Sequence, residues 1–465
     1  MKTKLLALFL SLTLFLSGCS VNIIRDDGTA HTPDTEQEEH QPADSHKPGQ
    51  EQQGQGGSSS AENTPTKEDS SAKDEPEQPG QVADLGDDHT TFGEDIAQSG
   101  AYDGYFEGAS TDITIECLSG TKDAYRLDGT TLTFTAISAD SAYSIRGTFR
   151  GNIVIDAGDG YKFELELQGL SLVCNATTPI SIQSGDEVTI KAKKDTHNYI
   201  YDTRAVIDST DETQHAGAIH AEVDLKISGK GELFVISENN NGIHSKDDLQ
   251  LKNLTLFVAC VDNALKGNDS VEIENATTTL IATAGDCIKT SNSDISQKHN
   301  QRGDVTITSG THTLYAACDG IDAAHNVVID NSATVLNIYT DKYSNYSQKI
   351  TDSSADTDYI RATSDTRGIK AANEISVHAG TLRIKSHGNA IHAGSDNVLE
   401  NGAMPVGNIT IDGGTIAIYT NDNGLYASGT LDVKAGNVTI LHADKCFEAP
   451  TQRIEDGIIS DSRAE

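Results

Sequence analysis

The chain has no tryptophan, two methionines and few aromatic residues. Tryptophan offers the best single face for stacking a neutral sugar, so an indole-lined glycan platform is excluded. Basic residues are scarce as well: Lys and Arg number 34 against 70 Asp and Glu, a formal net charge of −36. Such a chain repels polyanionic phosphate backbones and anionic lipid headgroups, which excludes nucleic-acid binding and leaves cations, or acidic polymers bridged by cations, as natural partners. Proline is scarce after residue 80, whereas Gly, Thr, Ile and Val are plentiful. That mixture favours strands and turns over helices. Gly-x-Ser-x-Gly, His-Glu-x-x-His and phosphate-loop patterns are all missing, so the common hydrolase, zinc-protease and nucleotide signatures are excluded.

Apolar runs are also rare, and the one long run lies at the start. Lys2 and Lys4 precede an apolar stretch from Leu5 to Leu16, followed by Leu16-Ser17-Gly18-Cys19. The stretch is short for a bilayer span, and its layout is that of a secretory signal. The last four residues resemble the bacterial lipobox, in which the cysteine is acylated and becomes the first residue. Residues 1–18 are therefore expected to be removed and Cys19 to carry the lipid. The rest would then sit on the outer face of the cell membrane, held only through the lipid anchor.

Between Asp26 and Asp95 the chain is dominated by Glu, Asp, Gln, Ser, Gly and Pro, as in Gln50-Glu51-Gln52-Gln53-Gly54-Gln55. Low hydrophobicity with net charge cannot offset the entropy of ordering. The reading is a lipidated N-terminus and disordered acidic stalk over 19–100, with a reach of about 50 Å. A folded domain is expected over 101–465.

That domain repeats. A turn residue, a small residue, an aliphatic anchor and a polar residue recur as Gly217-Ala218-Ile219-His220, Asn241-Gly242-Ile243-His244, Asn263-Ala264-Leu265-Lys266 and Asp286-Cys287-Ile288-Lys289. The series continues through Asp319-Gly320-Ile321-Asp322, Arg367-Gly368-Ile369-Lys370, Asn389-Ala390-Ile391-His392, Asn423-Gly424-Leu425-Tyr426 and Lys445-Cys446-Phe447-Glu448. Successive anchors lie 24, 22, 23, 33, 48, 22, 34 and 22 residues apart. Two further short alternating runs follow each anchor, such as Leu249-Gln250-Leu251 and Leu254-Thr255-Leu256-Phe257-Val258. Three short strands in a period of 22–24 predict an all-β fold, a right-handed parallel β-helix. A leucine-rich repeat needs Leu at fixed offsets, and a propeller needs blades of about 40 residues. Segments 290–304, 341–366 and 393–407 read as loops leaving the coil edge, the usual place for binding residues.

In that register Asn241, Asn263, Asp286 and Asp319 stack on one edge, with Asp262 and Asp322 beside them and Asn292 and Asp294 in the loop that follows. Neighbouring carboxylates raise one another's pKa unless a cation neutralises them, and a row of Asp and Asn oxygens suits calcium. The expected ligands are Asp262, Asn263, Asp286, Asn292, Asp319 and Asp322. The alternative is an Asn/Asp ladder that serves only the turns. Lys266, Lys289 and Lys370 follow their anchors and point away from the core. A lysine beside bound calcium is what a polysaccharide lyase uses as base; a solvated lysine on a sheet face is the alternative. Tyr315, Tyr339, Tyr343, Tyr346, Tyr419 and Tyr426 are the aromatic candidates for sugar contact, with 339–346 the densest group. Cys287 and Cys446 fill the small-residue slot before the anchor, which suits buried thiols.

The runs Gly242-Ile243-His244-Ser245-Lys246-Asp247-Asp248-Leu249, Asp286-Cys287-Ile288-Lys289-Thr290-Ser291-Asn292 and Asp319-Gly320-Ile321-Asp322-Ala323 resemble a signature of a family of carbohydrate-binding β-helix lipoproteins of bacteria. The resemblance covers roughly Ile113 to Ala449. It implies a right-handed parallel β-helix of the pectate lyase superfamily. It also implies bound calcium and binding of plant cell-wall polysaccharides, acidic ones included, without established lyase activity. The family's Asp ligands map onto Asp262, Asp286 and Asp319. Asn263 stands where Asp is frequent, and Cys318 precedes Asp319. The combined expectation is a monomer that binds polysaccharide non-catalytically with calcium, with Tyr339, Tyr343, Tyr346, Lys266 and Lys289 on the glycan. A calcium-dependent lyase and a structural or adhesive surface protein are the alternatives.

Overall fold

A computed structural model describes residues 111–204, 216–340, 366–455 and 459–461. Cys19, the apolar leader, the acidic stalk, Tyr343 and Tyr346 lie outside the described residues.

The described chain is all-β and winds in coils of three strands. One coil runs Ile219–Ala221, Leu225–Gly229 and Glu232–Ser237; the next runs Ile243–Ser245, Asp248–Lys252 and Thr255–Cys260. Each strand pairs in parallel with its counterpart one coil on, so Ile219 lies against Ile243, Leu225 against Leu249 and Leu233 against Leu256. The short strands form a sheet of their own, of 13 strands. The repeat anchors form one column along it: Ile219, Ile243, Leu265, Ile288, Ile321, Ile369, Ile391, Leu425 and Phe447. The column begins earlier than the repeat pattern reveals, at Leu132, Ile153 and Ile180. The third strand of each coil supplies a second column through Val235, Val258, Leu280, Leu314, Ile338 and Ile384. Both columns are buried except at the last rung, where Phe447 is half-buried. Each fully buried aliphatic side chain contributes about 1.5–3 kcal/mol, so stacked columns supply what no single coil holds by itself.

The small residue before each anchor has a steric cause. A Cβ on Gly320 would stand 2.4 Å from Ile338 Cγ2 and 2.6 Å from the Gly368 carbonyl oxygen. The third-strand column crowds the turn, leaving no room for a Cβ at Gly320; other coils carry Ala or Cys at the same position. The turn between the second and third strands is left-handed: Asn253 and Asn275 hold φ of 59° and 49°. Asparagine tolerates that conformation, and the Asn275 amide donates to Asn253 Oδ1 across 2.7 Å.

At the N-terminal end the pattern changes from parallel to antiparallel. Asp112–Ser119 pairs antiparallel with Ser141–Arg150, and Tyr125–Asp128 folds back on Thr131–Phe134. Phe134, Tyr143 and Phe163 meet beneath them with ring centroids 5.0–5.8 Å apart. This aromatic plug covers the first coil, as a repeat array requires of its ends. The six cysteines after Cys19 are free thiols.

Candidate functional site

Alternation along a strand of three residues sends the first and third side chains inward and the middle one outward. On the short-strand sheet the outward column therefore reads His220, His244, Lys266, Lys289, Asp322, Lys370, His392 and Tyr426, one per coil. Neighbours sit about 4.8 Å apart. This polar row is largely shielded: the lysine side chains of Lys289 and Lys370 are 26% and 28% exposed, and His220 and His244 are buried.

The turn residues form a parallel ladder beside the row. Asn241 Oδ1 accepts from Asn263 N (3.0 Å), Asn263 Oδ1 from Asp286 N (3.2 Å), Asp286 Oδ1 from Asp319 N (2.8 Å) and Asp319 Oδ1 from Arg367 N (2.7 Å). Each side chain thus caps the amide of the next coil, as turn asparagines and aspartates do. One oxygen of each buried aspartate is spent on this.

Three of the six residues expected to ligate calcium come together. Asp286, Asp319 and Asp322 bring one carboxylate oxygen each within 4.8 Å of the others. Lysines already fill the space between them. Lys289 Nζ lies 2.6 Å from Asp286 Oδ2 and 2.9 Å from Asp322 Oδ2; Lys370 Nζ lies 3.0 Å from Asp322 Oδ1 and 3.5 Å from Asp319 Oδ2. Burial opposes ionisation of Asp322, yet the two ammoniums outweigh it and hold the carboxyl at about 2. Burial pushes Asp319, whose lysine is farther off, up to about 7. The other three residues go elsewhere. Asn263 is bonded into the turn ladder, Asp262 lies on the exposed shoulder of that turn, and Asn292 donates to Asp269 Oδ1 beyond the other end of the short strand.

Lys266 differs from the other two lysines. Burial lowers its pKa, and among the described residues no carboxylate lies within ion-pair distance of its ammonium. Its row neighbour His244 is held neutral by burial, with a value of about 3.

Tyr339 is on a different face. It sits at the end of Thr334–Tyr339, a third strand, and stacks on Tyr315 at 5.2 Å with the rings 17° apart. Tyr199 and Phe234 stack in the same way one sheet column over, at 4.9 Å and 15°, with Phe257 next in line at 5.9 Å. In such ladders ring faces point along the coil axis at one another. Sugar CH groups would meet ring edges, so these aromatics brace the sheet.

A second acidic group escaped the sequence reading. Asp224, Asp247 and Asp248, at the turn after the short strand, also bring carboxylate oxygens within 4.8 Å. Among the described residues no basic side chain pairs with any of the three. Burial, then the charges of Asp247 and Asp248, push Asp224 up to about 6. The neighbouring Asp269 is raised to about 7 by burial and Asp247, although Arg302 stands against it. The signal was an acidic residue placed just before the second strand of successive coils, as in Asp224-Leu225 and Asp248-Leu249.

Two excursions lie farther along the coil axis. Loop 291–303 and loop 394–407 dock on each other: Ser293 N donates to Glu400 Oε2 and Glu400 N to Ser293 Oγ, each at 2.8 Å. They leave the coil after Lys289 and His392, so the clasp arches over the turns of the two coils between.

A parallel β-helix whose short-strand sheet carries a shielded, charged row, walled on one side by paired loops, is a scaffold for an extended ligand. The chain belongs to a family described as carbohydrate-binding domain-containing protein, whose sequence model matches residues 128–408. A carbohydrate-binding domain-containing protein of Acetivibrio thermocellus is 30% identical over 117 residues, 25% of this chain and 41% of that protein. The aligned stretch thus spans about two fifths of that relative's length. The solved structure of a polysaccharide lyase-like protein from C. thermocellum, a gadolinium derivative, is 18% identical, covers 73% of this chain and 93% of that one, and superposes with a TM-score of 0.33.

Proposed function

We propose that this chain binds polysaccharide non-catalytically, along the outward row of the short-strand sheet of a right-handed coil, at the cell surface to which Cys19 anchors it. Membership of a carbohydrate-binding family supports the ligand class. The observation that carries the site is Lys266, a half-buried ammonium that among the described residues has no carboxylate within ion-pair distance, Asp262 and Asp286 acting on it only from farther off. A shielded cation is costly unless paired, and a ligand carboxylate in the row would pair it. That favours an acidic, cell-wall type glycan. Lys289 and Lys370 line the same row but are already neutralised.

Calcium assistance belongs to this proposal. The residues that fit the ion best are Asp224, Asp247 and Asp248, whose clustered carboxylates make no ion pair among the described residues, Arg302 acting on Asp247 only from a distance. A hard dication bound there would offset their repulsion, and it could link an acidic glycan to an acidic protein. Retention of the full chain on polygalacturonate, pectin, xylan and cellulose, with calcium and with EGTA, tests the reading. The expected result is retention on the acidic glycans that weakens in EGTA and in Lys266→Met, with no unsaturated uronate released. Release of such products would make the chain a lyase. Retention on no glycan would overturn the proposal and favour an adhesive role toward protein partners.

A further inference from the structure

The sequence placed calcium among six residues that include Asp286, Asp319 and Asp322, and the resemblance placed it at Asp262, Asp286 and Asp319. We infer instead that Lys289 and Lys370 are tethered cations that take the place of a divalent ion in this cluster, so that this edge of the row works without metal. Three observations converge on it. First, the oxygens left for an ion are few. Asp286 Oδ1 and Asp319 Oδ1 accept backbone amides, leaving one oxygen from each and two from Asp322. Calcium takes six to eight oxygen ligands, so an ion here would draw four from these carboxylates and the rest from water, which leaves it poorly placed to compete with two tethered ammoniums. Second, all the oxygens left face an ammonium, at distances from 2.6 to 3.5 Å. Third, the arrangement is built by the register: Lys289, Asp322 and Lys370 occupy successive rungs of one column, alternating in charge along the sheet. Opposite charges on adjacent strands are the stabilising cross-strand pattern.

A dication entering here would have to expel two ammoniums from the carboxylates that hold them at 2.6 to 3.5 Å. The row therefore keeps a fixed set of charges, whatever the calcium concentration. Any calcium dependence of the protein arises outside this cluster.

The inference is tested by counting bound calcium, with no glycan present. Equilibrium dialysis would compare the wild-type chain, Asp322→Asn, the double variant Lys289→Met/Lys370→Met, and that double variant carrying Asp322→Asn. Wild type and Asp322→Asn are expected to bind equal amounts. The double variant is expected to bind one further calcium per chain, and adding Asp322→Asn should remove it. Loss of one calcium on Asp322→Asn in the wild-type background would overturn the inference. So would a folded double variant, judged by its thermal transition, that gains none. Should the double variant fail to fold, the wild-type comparison with Asp322→Asn still decides the matter. Because no glycan enters the measurement, its outcome is separate from that of the polysaccharide reading.

Discussion

Two carboxylate trios lie on different coils beside the short-strand sheet, and they are in opposite electrostatic states. Asp286, Asp319 and Asp322 precede or follow anchors on the lysine-bearing coils, and two ammoniums stand among them. Asp224, Asp247 and Asp248 belong to earlier coils, whose outward residues are His220 and His244, and among the described residues no ammonium pairs with them. The same residue type at the same density is thus a closed ion-pair network at one edge and an uncompensated cluster at the other. A count of acidic residues says nothing about metal affinity until the residues on neighbouring rungs are known.

The comparison can be broken most forcefully at Asp322. Asp322→Leu would leave Lys289 and Lys370 half-buried with one partner each, and removing one member of a shielded pair costs about 3–5 kcal/mol. Urea unfolding at neutral pH measures it; a loss below about 1 kcal/mol would mean that the network is screened like a surface pair.

Acid gives the next largest effect, and it sets the conditions for the comparison. Burial lowers the imidazoles of His244 and His392 to about 3 and that of His312 to about 4. Between those values and about 6.5 the unfolded chain binds more protons than the folded one, so stability is full above that window and falls as pH drops through it. For His312 the loss is up to about 3 kcal/mol at pH 4. Asp319, Asp269 and Asp224, raised by burial, titrate in the opposite sense over the same range, so the imidazole effect is read by difference: between pH 6.5 and pH 4 the urea midpoint of the wild type should fall relative to that of His312→Leu, and parallel profiles would show that water reaches the His312 ring.

At the open edge, calcium at a hundredfold excess over its Kd should stabilise the chain by about 2.7 kcal/mol. Asp248→Asn should abolish that gain, seen as a calcium-induced rise in Tm for the wild type alone. Without calcium the same substitution should be neutral or slightly stabilising, since it relieves repulsion with Asp224 and Asp247. Destabilisation in EGTA would mean that the trio is held by hydrogen bonds such as that from Ser270 Oγ, 2.7 Å from Asp248 Oδ1. The smallest effect belongs to Lys252→Ala. Its pairing with Glu274 is a lysine–carboxylate contact on adjacent coils like that of Lys289, but on an exposed face. Such pairs contribute below about 1 kcal/mol, and a thermal melt should show almost no shift.

Much of the fold could be read from the chain. Fixed spacing between Ile243, Leu265 and Ile288 forces neighbouring coils into register, because a slip of one residue would turn every anchor outward. The small residue before each anchor and the asparagines of the turns are likewise local requirements. The segment from Ile113 to Ile190 reads as the first coils plus an N-terminal cap, and the structure places Leu132, Ile153 and Ile180 on the anchor column there; only the spacing of these rungs is disguised, by the long pairing of Ser141–Arg150 with Lys162–Cys174 and by the antiparallel cap. Of the expected site, Lys266, Lys289, Asp286, Asp319 and Asp322 do gather on one face, since repeat position alone places them. Tyr339 faces elsewhere, because alternation on a third strand points it away from the short-strand sheet.

The sequence by itself determined which residues share a column, because stacking follows from a constant period and a two-residue alternation. Only the tertiary structure decided which charges touch. The coils at Ile288, Ile321 and Ile369 are 33 and 48 residues apart in sequence but adjacent in space, so Lys289 and Lys370 reach Asp322 across insertions whose lengths the sheet ignores. Ion pairing falls off steeply over a few ångströms, and that scale is set by which rungs are neighbours and by how far a lysine stem reaches across them.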